Sequence, residues 1–312
     1  MNLLPKPKKI TEKGGQLLLC HSMYIVISKE ISDNGIYAAK RLQEAIRQET
    51  GLLLRLSVGE TRDGDFSLRI TETLSEQAYE ITINENGVQI LGGDGAGVLY
   101  GVETFCQILQ QYGGALPCMQ IMDAPDMPNR GYYFDQTRGR ILKLEELKKI
   151  ADRMSLYKLN QLQLYVEHTY LFRDFSEMWR DQTPITAEEI RELDSYCRER
   201  HIELVPSLAS FGHLCTLLST KTYGDLCEME DSWKEPFSFW NRMRYHTINV
   251  SDERSLPLIK KMIAEYMQLF SSNKFNTLSP AAKVCVKFPG KPASAMTGPK
   301  LPNTAVIPTI IM

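Results

Sequence analysis

Nowhere in this chain of 312 residues do about eighteen apolar residues run together, so no transmembrane helix is expected. The N-terminus, MNLLPKPKKITEKGG, lacks an apolar core of signal-peptide length. The expectation is a cytoplasmic protein without a membrane partner. No basic cluster is denser than Lys6 to Lys9, and a net charge of −2 with a pI near 6.3 gives no phosphate-binding surface. Nucleic acid is therefore not expected as a partner. The seven cysteines are odd in number and never spaced as CxxC, which argues against a disulfide framework and against a zinc site. No metal and no other cofactor is expected. The most consequential absence lies at the C-terminal end: Glu265 is the last of the 38 acidic residues, and no Asp or Glu follows it.

What is present is an ordinary globular composition, 43% hydrophobic and 24% charged, long enough for two domains. Up to about Asp123, short strands alternate with helices. MYIVIS, LLLRLSV and FSLRIT are strand-like runs, and YEITINENGVQILG alternates apolar and polar residues around Asn86-Gly87, a hairpin signal. GIYAAKRLQEAIRQET places Ile36, Ala39, Leu42 and Ile46 on one helical face, with Asp33 and Asn34 as caps. The Gly-rich run GGDGAGVLYG lacks the lysine of a phosphate loop and reads as a tight turn and close packing at a helix start.

From Pro125 the pattern changes to strand and helix in alternation: GYYFDQT, a helix from Leu144 to Lys158, LQLYVEH, a helix from Ala187 to Arg200, then IELVPSLA. This order implies parallel strands, with chemistry at their C-terminal ends. Thr186 to Glu189 reads as a capping box, and Ser251 and Asp252 as caps of a helix through SLPLIKKMIAEYMQLF. The intervening excursion, from Cys215 to His246, has the aromatic and charged mixture of a loop over a barrel mouth, and FN at 275–276 should open a fourth strand.

Four motifs occur in order: Y-x-I-x-I-x-x-x-G from Tyr79, YG-x-x-T-x-x-Q from Tyr100, D-x-P-x-x-x-x-RG from Asp123, and F-G-H ending at His213. Together they resemble the family 20 glycoside hydrolases, the β-N-acetylhexosaminidases, over roughly residues 20 to 277. The resemblance implies an α/β chain: a small N-terminal α+β domain (1–125) followed by a truncated (β/α)8 TIM barrel of about four β/α units (126–277), then an irregular basic, Pro-rich tail (278–312). It implies N-acetylhexosamine-containing glycans as partners. It also implies a retaining, substrate-assisted hydrolysis in which the substrate's own acetamido carbonyl attacks the anomeric carbon. Carried over by motif, Arg130 would grip the terminal sugar's hydroxyls, the alternative being a salt bridge at the barrel start. His213 would sit beside the acid glutamate. Asp135 and Arg138 would form a scaffold ion pair behind the substrate. Glu167 and His168 stand near the family's acidic position, where they either contact substrate or anchor a loop. Trp179, Trp233 and Trp240 have the chemistry to stack on sugars, but that role is not transferred to them.

The catalytic Asp-Glu pair is expected a few residues after Asn276, where the chain reads TLSPAAKVCVKFPGK instead. Six of the 15 prolines fall between Pro280 and Pro308. The tail from Leu278 therefore reads as out-of-frame or degraded coding, and no hydrolysis is expected from the polypeptide as written. An open half barrel is expected to self-associate through its uncovered edge. Two other readings stand beside the enzyme of this descent: a non-catalytic carbohydrate-binding protein, and a different hydrolase built on Glu167, His168 and His213 with a metal.

Overall fold

Apolar residues on alternate positions and on helical faces build the first unit, which opens with β1 (Lys9–Leu18), β2 (Tyr24–Ile27), α1 (Asn34–Thr50), β3 (Arg55–Val58) and β4 (Phe66–Ile70). It continues with β5 (Tyr79–Asn84), β6 (Gly87–Gly92), α2 (Gly95–Tyr112) and β7 (Ala115–Asp123). The computed structural model describes residues 1–31, 34–231, 234–236, 238–279 and 282–287, of which 34, 278, 279 and 282–287 are described as backbone alone. Of the first unit's proposed caps, Asp33 lies outside the described residues and Asn34 is the first residue of α1 rather than a cap before it.

The seven strands form one mixed sheet in the order β1-β7-β5-β6-β4-β2-β3. Strands β3, β2, β4 and β6 pair in parallel, while β5 runs antiparallel to both β6 and β7. The core joins Ile25, Phe66, Leu68, Ile81 and Ile90 of the sheet to Leu42 and Ile46 of α1 and to Val102, Phe105 and Leu109 of α2. Ile36 departs from the expected helical face and is 47% exposed, because the buried stripe of α1 runs through Ala38, Ala39, Leu42 and Ala45. Asn84 pairs with Gly87, so the hairpin turn is Glu85-Asn86 and Gly87 opens β6 with φ 127°. A Cβ there would lie 2.4 Å from the Asp65 carbonyl oxygen, which is why glycine occupies it. The Gly-rich run is indeed a helix start: Asp94 caps α2 by accepting from the Gly97 amide at 2.7 Å, and a Cβ on Gly97 would meet the Ala78 carbonyl at 2.2 Å. Strand β1 carries no burial period and is held through its backbone pairing with β7.

The second unit contains β8 (Gly131–Asp135), the start of α3 (Leu144–Leu156), β9 (Gln161–Val166), α4 (Ser176–Trp179) and α5 (Ala187–Glu199). Then follow β10 (Glu203–Ala209), α6 (Cys215–Leu218), α7 (Phe239–Arg244), α8 (Ser255–Met267), β11 (Lys274–Ser279) and β12 (Ala282–Lys287). Two short stretches, Lys149–Asn160 and Arg198–Ile202, belong with the first unit, as does Arg130. The sheet order is β12-β11-β10-β9-β8, with β8 through β11 all parallel. Long helices follow β8 and β9 in chain order, the βαβα pattern expected.

Thr186 and Glu189 form the expected capping box, each backbone amide donating to the other's side chain at 2.8 and 3.2 Å. The caps foreseen for α8 differ. The helix begins at Ser255, and Asp252 instead accepts from the backbone amide and guanidinium of Arg254. The tail differs too. Strand β11 continues through Ser279, and β12 pairs with it antiparallel from Lys274↔Lys287 to Ser279↔Ala282. The alternation in AKVCVK suits a strand. The edge of β11 expected to be open is thus covered, and the sheet ends at β12 and β8. Residues 288–312 of the predicted irregular tail lie outside the described residues.

Candidate functional site

Four parallel strands in register place residues of alternate positions in rows across one face. Asp135 pairs with Tyr165, Tyr165 with Ser207, and Ser207 with Asn276. Most of this face is polar. Near the strand starts Glu203 receives hydrogen bonds from Gln161 and Lys274, and in the middle Asn276 donates to Gln163 at 3.3 Å. Toward the C-terminal ends, Tyr133 and Tyr165 stack at 5.9 Å, and the Tyr133 hydroxyl lies 3.3 Å from Ser207 Oγ.

Glu167, the residue after β9, is the focus of these strand ends. It is 4% exposed, and its Oε1 accepts from the Tyr165 hydroxyl at 2.8 Å. Its backbone amide donates to Thr137 Oγ1 at 2.9 Å, and Thr137 in turn meets Thr169 at 3.1 Å, which locks the loop after β8 to the loop after β9. Around the carboxylate stand the Arg242 guanidinium at 3.5 Å and two imidazoles, His213 Nδ1 at 3.8 Å and His168 Nδ1 at 4.0 Å. Burial pushes the Glu167 carboxyl above its ordinary range, and the Tyr165 hydrogen bond and the charges of Arg242 and Arg138 only partly oppose this.

Asp135 ends β8 and folds the following residues back over the strand. Its carboxylate accepts from the amides of Thr137 at 2.9 Å and Arg138 at 3.0 Å and forms an ion pair with the Arg138 guanidinium. The same guanidinium lies 5.3 Å from the centre of the Tyr165 ring.

His213 follows β10 with φ 60°, a left-handed backbone that His tolerates better than most residues. Its amide reaches His246 Nδ1 at 3.4 Å, and the two rings lie 5.6 Å apart. Burial, then Arg138 and Arg242, hold His213 below its ordinary pKa. His168 is driven down to about 4 by burial and by Arg242, and its Nδ1 is 3.2 Å from Thr216 Oγ1. Both rings are therefore neutral near pH 7 and able to accept or donate one hydrogen bond at each nitrogen.

Arg242 and His246 were not foreseen as site residues. They come from α7 and the segment after it, which returns to the strand end through the Ile248 amide donating to the Phe211 carbonyl at 3.2 Å and the Leu214 amide donating to that of His246 at 3.0 Å. No local signal marks them. Tyr165 and Tyr133 were also missed, although they stand two residues before Glu167 and Asp135 and so share their face.

Arg130 is not brought to this cluster. It precedes β8, at the opposite end of that strand from Asp135, and its fork is occupied within the first unit. Nε donates to the Lys158 carbonyl at 2.8 Å, Nη1 to the Met127 carbonyl at 2.6 Å, and Nη2 to Gln77 at 2.9 Å and to the Tyr100 hydroxyl at 3.2 Å. An arginine so satisfied has little left to offer a sugar hydroxyl, and the motif-based role is corrected on that ground. The alternative, a salt bridge, is also absent among the described residues, since the acceptors are carbonyls, an amide and a phenol. Trp179 donates its indole N–H to the Phe172 carbonyl at 2.8 Å, Trp240 is 78% exposed on α7, and Trp233 lies outside the described residues. Among the described residues no group of three or more His, Cys, Asp and Glu side chains is arranged to hold a metal ion. A buried carboxylate, two arginines, neutral imidazoles and stacked tyrosines make a surface suited to a neutral, polyhydroxylated ligand.

Two family profiles match the chain in succession, one described as glycosyl hydrolase family 20, domain 2, over residues 1–124, the other as the glycosyl hydrolase family 20 catalytic domain, over residues 127–277. A β-hexosaminidase of Porphyromonas gingivalis is 24% identical over 247 residues, covering 70% of this chain and 31% of that protein. A β-hexosaminidase of Akkermansia muciniphila is 30% identical over 189 residues, covering 54% of this chain and 36% of that protein. The chain thus spans about a third of the length of these relatives. Among solved structures, the β-N-acetylhexosaminidase of Streptomyces coelicolor superposes with a TM-score of 0.73 at 20% identity, over 88% of this chain and 58% of that one. The chitobiase of Flavobacterium johnsoniae gives 0.72 at 20% identity, over 88% and 44%. At this identity the likeness establishes the fold: an α/β chain with a small domain and a truncated barrel.

Proposed function

The chain belongs to glycoside hydrolase family 20, and on that premise we propose that residues 1–277 carry the sugar-binding half of a β-N-acetylhexosaminidase, acting on terminal β-linked N-acetylhexosamine of glycans and glycoconjugates. The observation that supports this reading is the polar row that ends in Glu167, flanked by Arg138, Arg242 and His213, at the C-terminal ends of parallel strands. In the family's retaining scheme the acetamido carbonyl oxygen bonds to the anomeric carbon as the glycosidic bond breaks, and the leaving oxygen takes a proton from a glutamic acid. Water then opens the oxazolinium ring with retention. In this chain Arg138, not Arg130, would donate to sugar hydroxyls, with Tyr165 and His213 completing the wall. The proton donor and its aspartate have no counterpart in residues 277–312, which contain no carboxylate side chain. We therefore expect this polypeptide to bind without turning over, and we read residues 278–312 as out-of-frame.

Saturation-transfer NMR with N-acetylglucosamine, run beside release of nitrophenol from its aryl β-glycoside, tests both halves. Sugar binding that weakens about tenfold in Arg138→Ala, without nitrophenol release, is the expected result. Absence of binding by the folded chain would overturn the reading. Turnover above a buffer blank that vanishes in Glu167→Gln would overturn the non-catalytic half alone.

A further inference from the structure

Phe239 and Trp240 open α7, in the excursion after β10, and both side chains stand in solvent, 66% and 78% exposed. Met243, one turn further along, is 51% exposed. The two rings meet edge to face, with centres 5.6 Å apart and planes at 76°. The Trp240 indole N–H makes no hydrogen bond among the described residues. One exposed ring needs no explanation, but two adjacent rings with a methionine beside them form a patch of apolar surface.

That patch is stiff and borders the strand-end cluster. Ser238 caps α7 by accepting from the Asn241 amide at 3.0 Å, and the Asn241 side chain donates to the Pro236 carbonyl at 2.8 Å. At the other end Tyr245 is buried, and the Leu214 amide donates to the His246 carbonyl at 3.0 Å. Between these fastenings Arg242 reaches Glu167 at 3.5 Å. Residues three apart share a helix face, so Phe239 stands beside Arg242, about 4.5 Å along the axis. Helical side chains also lean back toward the start of their helix. The line from Glu167 through Arg242 therefore runs out over Phe239, with Trp240 set across it as the second wall of a corner.

A pyranose ring carries hydroxyls on its rim and C–H groups on its faces. Such a ring can lay a C–H face on an aromatic side chain while its rim stays in water or takes a donor. The corner offers both, since the rings supply flat apolar surface and the indole supplies one N–H. A platform already fixed by its helix costs little to order when a ligand settles on it.

We propose that Phe239 and Trp240 form an outer sugar site for the residue next to a terminal N-acetylhexosamine held at Glu167, so that the chain selects glycans of two or more sugars over the free monosaccharide. The inference rests on the sugar-binding reading of the strand-end cluster, and its test separates the two.

The test is an NMR titration of the full chain with N-acetylglucosamine and with its β-1,4-linked disaccharide. The disaccharide should bind about tenfold more tightly. Phe239→Ala and Trp240→Ala should each cut that preference to about twofold or less, whereas Val250→Ala, at an exposed apolar position outside α7, should keep it. The indole N–H resonance of Trp240, identified by its loss in Trp240→Phe, should move with the disaccharide and stay in place with the monosaccharide. A monosaccharide that binds as tightly as the disaccharide would overturn the outer site alone, as would a preference that survives both alanine variants. If neither sugar binds the folded chain, the sugar-binding reading falls and the outer site with it. Self-association that Trp240→Ala abolishes, with no preference for the disaccharide, would assign the patch to a second copy of the chain and overturn the proposal.

Discussion

Arg130 and Arg138 stand in one stretch, NRGYYFDQTRGR, at the two ends of strand β8, and they differ in what surrounds them. The first directs its donors to backbone carbonyls, Gln77 and Tyr100 and is a structural fastening. The second holds one carboxylate, leans on one aromatic ring and has a half-exposed side chain, 46% accessible. The same side chain is a rivet where acceptors converge on it and a ligand group where they do not.

The comparison breaks most visibly on stability. Arg130→Ala should lower the unfolding free energy in urea by about 3 kcal/mol, because several charge-assisted hydrogen bonds are lost at once and their acceptors are left unpaired. Arg130→Lys should recover less than half of that, since an ammonium lacks the fork. Arg138→Ala should cost less than about 1 kcal/mol, as expected of an accessible ion pair, yet weaken N-acetylglucosamine binding about tenfold in an NMR titration. If the two variants exchanged these effects, the assignment of the two strand ends would be wrong.

Glu167 sharpens the contrast further, because its carboxyl is held above the ordinary range in the folded state. A raised folded-state value means a stabilising preference for the protonated form that is complete at low pH and lost as pH rises through the folded-state pKa. Glu167→Gln should therefore gain stability relative to the parent as pH rises and the parent's carboxyl ionises, read in urea titrations across that range. The smallest effect concerns His168, depressed to about 4. Its ring carbon resonances should stay those of a neutral imidazole until pH approaches 4. Because the unfolded chain takes up that proton first, near the ordinary value of about 6.5, His168 contributes a loss of stability as pH falls between the two values.

Much of the architecture was legible because it rests on local periods. The alternation of Gln161, Gln163, Tyr165 and Glu167 with Leu162, Leu164 and Val166 announces a strand with one polar face, and the Thr186 to Glu189 box announces a helix start. Strand β1 was not legible, since a largely exposed edge strand has no burial pattern to write into its residues. Nor was the antiparallel return of β12, whose pairing depends on a partner rather than on its composition. Arg130 misled for a similar reason: three of its acceptors are backbone carbonyls of Met127, Pro128 and Lys158, and every residue carries a carbonyl.

Motif order and periodicity in the sequence were enough to determine the family, the two-part α/β organisation and the absence of a carboxylate after Asn276, since all of these are properties of residue type and spacing. Which arginine keeps donors for a ligand, how Arg242 and His246 reach Glu167, and that the Lys158 ammonium is buried without a hydrogen-bond partner among the described residues were decided by tertiary structure alone. Each of these depends on groups brought together from distant segments, and hydrogen-bond saturation and burial exist only after that convergence.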